Sequence, residues 1–415
     1  MADCLFCASQ LHCSTYQSFV PGHHDQDRPM VSVGIYAQAL EEAAVRTVRG
    51  TGPGEDYSFQ PEEYPLSWRI QDLGTQITAF LDGKPSSPPR ETLWVITVGM
   101  WDIWSLASLP LDMGLEMVDL MTDHVFEQAD RLYKSSLTEA SVAWSDTNGR
   151  LQNETVRTLQ NRTDMFRILI PKLLDPSLIP AWSTARPDLG EVHSKAEQTR
   201  NAAQLTAEWN MHLFDKLERW IRGADAEDDD EGSRRSFDQA AADAQDTASD
   251  ILTLYGISHE TGDGDSARQE ARSSSTQPEW GQRRVPEKHP RLSTEQGDTG
   301  TPQRDGFLYD LPRYVLDVMT ERQLRDSGLQ DGNGRGGRQL GDGFRDVRTP
   351  CLADMRRDGK EDAGSTLASR LCEVMQKHLF SMPFVVAPRA VKEIGHSAAE
   401  MVRRNEMVRA GRGGY

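Results

Sequence analysis

Glu91-Thr-Leu-Trp-Val-Ile-Thr-Val-Gly-Met-Trp-Asp-Ile-Trp-Ser-Leu-Ala-Ser-Leu-Pro110 is the stretch on which the reading of the fold turns. Its opening run, Leu93 to Val98, is short, apolar and rich in β-branched and aromatic residues. Bounded by Gly99, such a run predicts a strand buried on both faces, as inside a parallel sheet. Gly99-Met100-Trp101-Asp102 then leaves the sheet at its carboxyl edge, which is where open α/β sheets bind ligands. Asp102 stands just ahead of Ile103-Trp104 and reads equally well as a turn or cap residue.

The flanking segments continue the alternation of strand and helix. Upstream, Ser32 can cap a helix from Val33 to about Val48, and Leu66 to Leu81 gives a second amphipathic helix. Downstream, Leu111 to Tyr133 is helical and Phe166 to Ile170 is a strand ended by Pro171. The loop Leu173 to Trp182 follows at the same sheet edge. A long helix runs from about Lys195 to Ile221, on which Asn201 and Asn210 read as surface or packing residues. After a break come a short strand near Phe307–Tyr309, a helix from Pro312 to Leu324, and a last helix from Arg389 to Met401. Short apolar runs alternating with amphipathic helices predict parallel βαβ units and an α/β fold.

The break has its own composition. Asp225 to Glu231 is almost wholly acidic, and Thr261 to Asp305 has hardly an aliphatic residue. Such a segment buries too little apolar area to offset its ordering entropy. The expected organisation is therefore one α/β domain in two parts, residues 1–222 and 306–415. Residues 223–305 form a largely disordered acidic and polar insertion, with one helix near Phe237–Tyr255. This also explains why only 37% of the chain is hydrophobic.

Charge and motifs exclude several functions. A net charge of −18 argues against a dedicated nucleic-acid binder. No stretch is apolar enough over about 18 residues to span a membrane. The loop around Asp331-Gly-Asn333-Gly lacks the Lys-Ser/Thr of a phosphate loop, so nucleotide binding is not expected there. The five cysteines have no accompanying histidines at metal-ligand spacing, so neither a metal nor another cofactor is expected. Cys351 and Cys372 flank the approach to the last helix and are expected to bridge; Cys4, Cys7 and Cys13 leave at least one thiol over. His23 and His24 read as a solvated loop, and the sequons at Asn153 and Asn161 carry little weight. Asp123 and His124, adjacent on a helix, point different ways and make a poor dyad.

Two pieces of sequence together resemble the SGNH/GDSL-like esterases. Strand-Gly99-Met100-Trp101-Asp102 is similar to that family's Gly-x-Asn-Asp segment, whose Asn donates to the oxyanion. His378-Leu-Phe-Ser-Met382-Pro-Phe-Val385-Val-Ala-Pro-Arg-Ala-Val-Lys-Glu-Ile394-Gly resembles the terminal Asp-x-x-His motif and its following helix. The resemblance implies a three-layer, flavodoxin-like parallel sheet lacking the family's first strand, the one that ends in Gly-Asp-Ser. That tripeptide occurs here only at Gly264-Asp265-Ser266, within the acidic insertion. The family-equivalent positions are Gly99, Trp101, Asp102, Met382 and Val385. Trp101 replaces the oxyanion Asn, Met382 the Asp and Val385 the His. Of the other imidazoles, His378 is nearest as a relocated base and His396 lies in the terminal helix.

The resemblance implies relatives among carbohydrate or lipid esterases, and the replacements imply impaired catalysis in this chain, with an ester or glycan as the ligand of the cleft. It also implies an extracellular protein. Met1-Ala2-Asp3-Cys4 carries no signal peptide, so a cytoplasmic location follows if that start is genuine. Two alternatives stay open: an active secreted ester hydrolase with its nucleophile segment upstream, and a non-enzymatic interaction protein whose acidic insertion binds basic partners.

Overall fold

The strand that opens the Glu91–Pro110 stretch is shorter than its apolar run and, at the edge of the described sheet, half-buried rather than buried on both faces. The computed structural model describes residues 11, 13, 15–17, 72–83, 88–89, 91–145, 165–187, 194–223, 302–337, 343–352 and 375–410, with side chains to 404. In it β1 covers Leu93–Val95. It does not continue to Val98. Ile96 makes a last ladder bond, donating to the Leu169 carbonyl at 3.0 Å, and Gly99, at φ +103°, turns the chain into the next helix.

Three strands form one parallel sheet in the order β1-β2-β3, with β2 at Met165–Pro171 and β3 at Gln303–Tyr309. Trp94 lies opposite Ile168, and Leu169 opposite Phe307. Helices and a parallel sheet place the chain in the α/β class, as the alternation predicted. The third strand starts earlier than its apolar residues suggest. Arg304 and Asp305 belong to it because their charges are met: Arg304 reaches Asp130 at 2.6 Å and lies over the Tyr133 ring. Asp305 faces its register partner Arg167 at 3.7 Å. The segment assigned to the insertion thus yields Gln303–Asp305 to the sheet. Residues 224–301, including the expected helix near Phe237–Tyr255, lie outside the described residues, as does the expected helix Val33–Val48.

Period-two alternation sends the strand side chains to two different cores. Phe166, Ile168 and Ile170 face a core shared with α3 (Leu111–Ser136) and α5 (Lys195–Arg222). Leu169, Phe307 and Tyr309 face Ile394, Ala398, Ala399 and Val402 of the last helix, α7 (Pro388–Ala410). Helices therefore cover both faces of the sheet. On the first face Leu205, Trp209 and Leu213 of α5 are almost fully buried. Each such side chain contributes about 1.5–3 kcal/mol by leaving water. Gly306 lets α5 approach, since a Cβ there would lie 2.4 Å from Leu217 Cδ1.

The helix ends follow capping chemistry. Asp72 caps α1 (Leu73–Leu81), accepting from the Thr75 N–H at 2.6 Å; residues 66–71 of the expected longer helix are outside the described residues. Ser194 caps α5 and Asp310 caps α6 (Leu311–Asp326), which has Pro in its first turn. Between α3 and α5 the buried Lys216 ammonium is gripped by Asp119 at 2.7 Å, Asp123 at 2.8 Å and Thr122 Oγ1 at 2.9 Å. Asp123 is thus turned to Lys216 while His124 turns to Glu127, as adjacent helical positions require.

Cys351 is disulfide-bonded, with its partner outside the described residues, and Cys13 is a free thiol. Cys4, Cys7 and Cys372 also lie outside them, as do His23, His24, Asn153 and Asn161. Among the described residues no helix is long and apolar enough to cross a membrane.

Candidate functional site

The segments leaving the three strands meet at the carboxyl edge of the sheet. Gly99 opens it. A Cβ at this position would come within 2.5 Å of Trp209 Cζ2 and 2.8 Å of Leu173 Cδ1, so both its φ and its bareness are needed. The chain then enters α2 (Met100–Leu106), which carries Trp101, Asp102 and Trp104. Trp101 and Trp104 are both buried and stack with centroids 6.2 Å apart. Asp102 is fully buried in the first helical turn, where the helix N-terminus favours an acid.

The loop after β2 is fastened from α5. Asn210 makes two bonds to one residue: its Oδ1 accepts from the Leu173 N–H at 2.7 Å and its Nδ2 donates to the Leu173 carbonyl at 3.0 Å. One end of α5 does the same for α2, where Asn201 Nδ2 donates to the carbonyls of Ala107 and Leu109. Asp175 caps the short turn Pro176–Leu178 by accepting from the Ser177 N–H at 2.8 Å. Its other oxygen is buried and has no hydrogen-bond partner among the described residues. Burial pushes the Asp175 carboxyl up to about 6, against the opposing effect of its bonds from Ser177.

Beyond the turn, α4 (Ala181–Thr184) brings Trp182 edge-on to Trp104, with centroids 5.4 Å apart. Arg186 is buried with its guanidinium 4.0 Å from the Trp182 ring centre and 5.1 Å from that of Trp104. Its Nε donates to Gln198 and its Nη1 to the Trp104 carbonyl. The third component is a hairpin, β4 (Phe380–Met382) with β5 (Val385–Val386). The Pro383 carbonyl accepts from the Ala181 N–H at 3.0 Å, and Phe384 packs 5.2 Å from Trp104 and 6.4 Å from Trp101.

The structure therefore gathers at one edge the elements bearing Gly99, Trp101, Asp102, Met382 and Val385. Their side chains do not converge on a polar centre: Trp101 and Asp102 point into the interior, while Met382 and Val385 are 43% and 37% exposed. His378 is half-buried just ahead of the hairpin. Its Nδ1 lies 3.1 Å from the Thr349 carbonyl, and His396 pairs with Glu400 on α7. Hydroxyls near the edge are engaged too: Ser105, Ser108, Ser183, Thr184 and Ser381 donate to backbone carbonyls. Away from this edge, Asp331 closes its own loop on Arg335, which holds the Asp331 carboxyl below the usual range. Among the described residues no group of three or more His, Cys, Asp and Glu is assembled to hold a metal ion.

Asp175, Arg186, Asn201 and Asn210 were not read as site residues from the sequence. Asp175-Pro176 is a legible capping signal, Asp before Pro at the first turn. The two asparagines carry no local signal, because their partners lie 92 and 94 residues away for Asn201 and 37 for Asn210, and Arg186 joins the nearby Trp182 and Gln198 to the Trp104 carbonyl 82 residues away. Comparison of the chain with protein-family models, with curated proteins and with solved structures found no match.

Proposed function

We propose that this chain is an SGNH/GDSL-like, flavodoxin-like domain related to carbohydrate or lipid esterases, without working ester-hydrolase chemistry, whose carboxyl edge binds an ester or glycan ligand. One observation carries the reading: the two segments that resemble the family, far apart in sequence, meet at the Phe384 contacts with Trp101 and Trp104. The order of pieces along the chain and the parallel pairing of β1, β2 and β3 agree with it.

The loss of chemistry follows from side-chain properties. Acyl transfer from a serine needs a hydroxyl, a neutral imidazole to take its proton, and donors for the oxyanion. Met382 and Val385 move no proton, and Trp101 is stacked in the core. Removing one oxyanion donor alone costs on the order of a hundred- to a thousand-fold in rate. What the edge retains is aromatic surface and shape. The Cys351 disulfide favours an oxidising, extracellular setting.

Hydrolysis of p-nitrophenyl acetate by the purified chain tests this. The expected rate equals that of a heat-inactivated control, for the unmodified chain and for Met382→Asp with Val385→His. Turnover restored by those two substitutions would mean that a nucleophile is already in place, and the reading fails.

A further inference from the structure

We propose that the segment Leu173–Trp182 is a proton-operated flap at the carboxyl edge: with Asp175 protonated it stays seated with Trp101 and Trp104, and ionisation of Asp175 loosens it. The burial of the segment leads to this. Every residue from Leu173 to Trp182 is buried, and Asp175 is the one ionisable side chain among them. Its Oδ1 accepts the Ser177 N–H at 2.8 Å, and its Oδ2 has no hydrogen-bond partner among the described residues. That surrounding suits a neutral carboxylic acid. A carboxylate in the interior needs several donors or a cation to offset its lost hydration.

No neighbouring charge supplies that offset. The elements packed against the turn bring Asp102 on α2 and, on the stretch of α5 between Thr199 and Asn210, Arg200 and Glu208. Arg186 follows α4, while α4 and the hairpin carry no charge. What acts on Asp175 is burial, which raises its carboxyl to about 6 against the bonds from Ser177.

The segment is built to move between two anchors. Asn210 holds Leu173 at one end. At the other, Ala181 donates to the Pro383 carbonyl and Trp182 Nε1 to Thr199 Oγ1, both at 3.0 Å. Between them the N–H groups of Ser177, Leu178 and Ile179 all bond within the turn, to Asp175 and Pro176. Leu174, Leu178 and Ile179 share one apolar cluster with Trp101 and Trp104, so loosening the segment bares aromatic surface. The seated segment has its full stability below the ordinary 3.8 and loses it as pH rises through about 6. With the ordinary value in the open segment, the closed-to-open ratio falls about fifty-fold between pH 4 and pH 7. The inference concerns the seating of this segment and holds whichever ligand the edge takes.

Hydrogen exchange read by NMR on the full chain at pH 4 and pH 7, corrected for the intrinsic pH dependence of exchange, tests it in the unmodified protein and in Asp175→Asn. The expected result is an opening constant at Ser177, Leu178 and Ile179 that rises about fifty-fold from pH 4 to pH 7. At pH 7 it should also exceed that of β2 (Met165–Pro171), because the flap opens without the sheet. Asp175→Asn, which keeps an oxygen for the Ser177 N–H and has no charge to bury, should hold the pH 4 value at both pH values. Opening constants that do not move with pH in the unmodified protein would overturn the flap, as would the same rise in Asp175→Asn. Equal constants for the segment and β2 at pH 7 would also overturn it, since the segment would then open only with the whole fold.

Discussion

Replacing Gly99 with alanine separates two reasons for a glycine at the sheet edge. The residue sits at φ +103°, a conformation that costs an L-residue about 1–2 kcal/mol. A Cβ would also fall 2.5 Å from Trp209 Cζ2, 2.8 Å from Trp209 Cε2 and 2.8 Å from Leu173 Cδ1. Trp209 is almost fully buried and its ring is rigid, so the overlap has to be relieved by moving α5 or the post-β2 loop. Overpacking of this kind typically costs about 1–3 kcal/mol. The sum is roughly 2–5 kcal/mol, a large part of the ~5–15 kcal/mol that holds most domains together. Gly223 provides an internal control, with φ +82° and, among the described residues, nothing within 4 Å of a built Cβ. With ψ 164° as well, Gly223 sits in a region nearly restricted to glycine, so Gly223→Ala should lose about 1–3 kcal/mol from conformation alone. Urea unfolding of both variants, followed by tryptophan fluorescence, gives the comparison through the shift in midpoint at constant slope. Equal losses for the two variants would refute the claim that Trp209 and Leu173 close on Gly99.

Asp175→Asn should stabilise the chain at pH 7 and flatten its pH dependence. The folded carboxyl is raised to about 6 from an ordinary 3.8, so the folded state binds the extra proton between these values. Stability therefore rises as pH falls from 7 through 6 towards 4, by at most about 3 kcal/mol, and the asparagine variant lacks that rise. Thermal unfolding across pH 4–8 checks the sign. Lys216→Met should return the Asp119 carboxyl, now held low chiefly by the hydrogen bond from Lys216, to its ordinary range. A carboxylate NMR titration reads this directly; an unmoved Asp119 would show that Lys216 is not its partner in solution.

The fold was legible where local pattern and tertiary environment agree. The apolar runs at Leu93 and Phe166, the periodic helices and the punctuation at Gly99 and Pro171 each state their own structure. Strand limits were not: β1 ends at Val95 although Ile96-Thr97-Val98 continues the pattern and its neighbour β2 runs on from Leu169 to Pro171. β3 runs in the other direction, into Arg304 and Asp305, which look like insertion until Asp130 and Arg167 are seen beside them. At the edge, the segments around Gly99 and Phe384 meet through Trp101 and Trp104. Local motifs did not announce the clamps. Asn210 on the Leu173 backbone and Arg186 between two tryptophans depend on helix α5 lying across the loop, which no local pattern encodes.

The most direct test of a carboxyl edge that binds without serine chemistry is labelling with a fluorophosphonate, read by intact mass and peptide mapping. The account predicts no adduct on the folded chain above that of its denatured control. A single stoichiometric adduct on one serine of the native protein, accompanied by loss of ester turnover, would contradict it and identify the nucleophile.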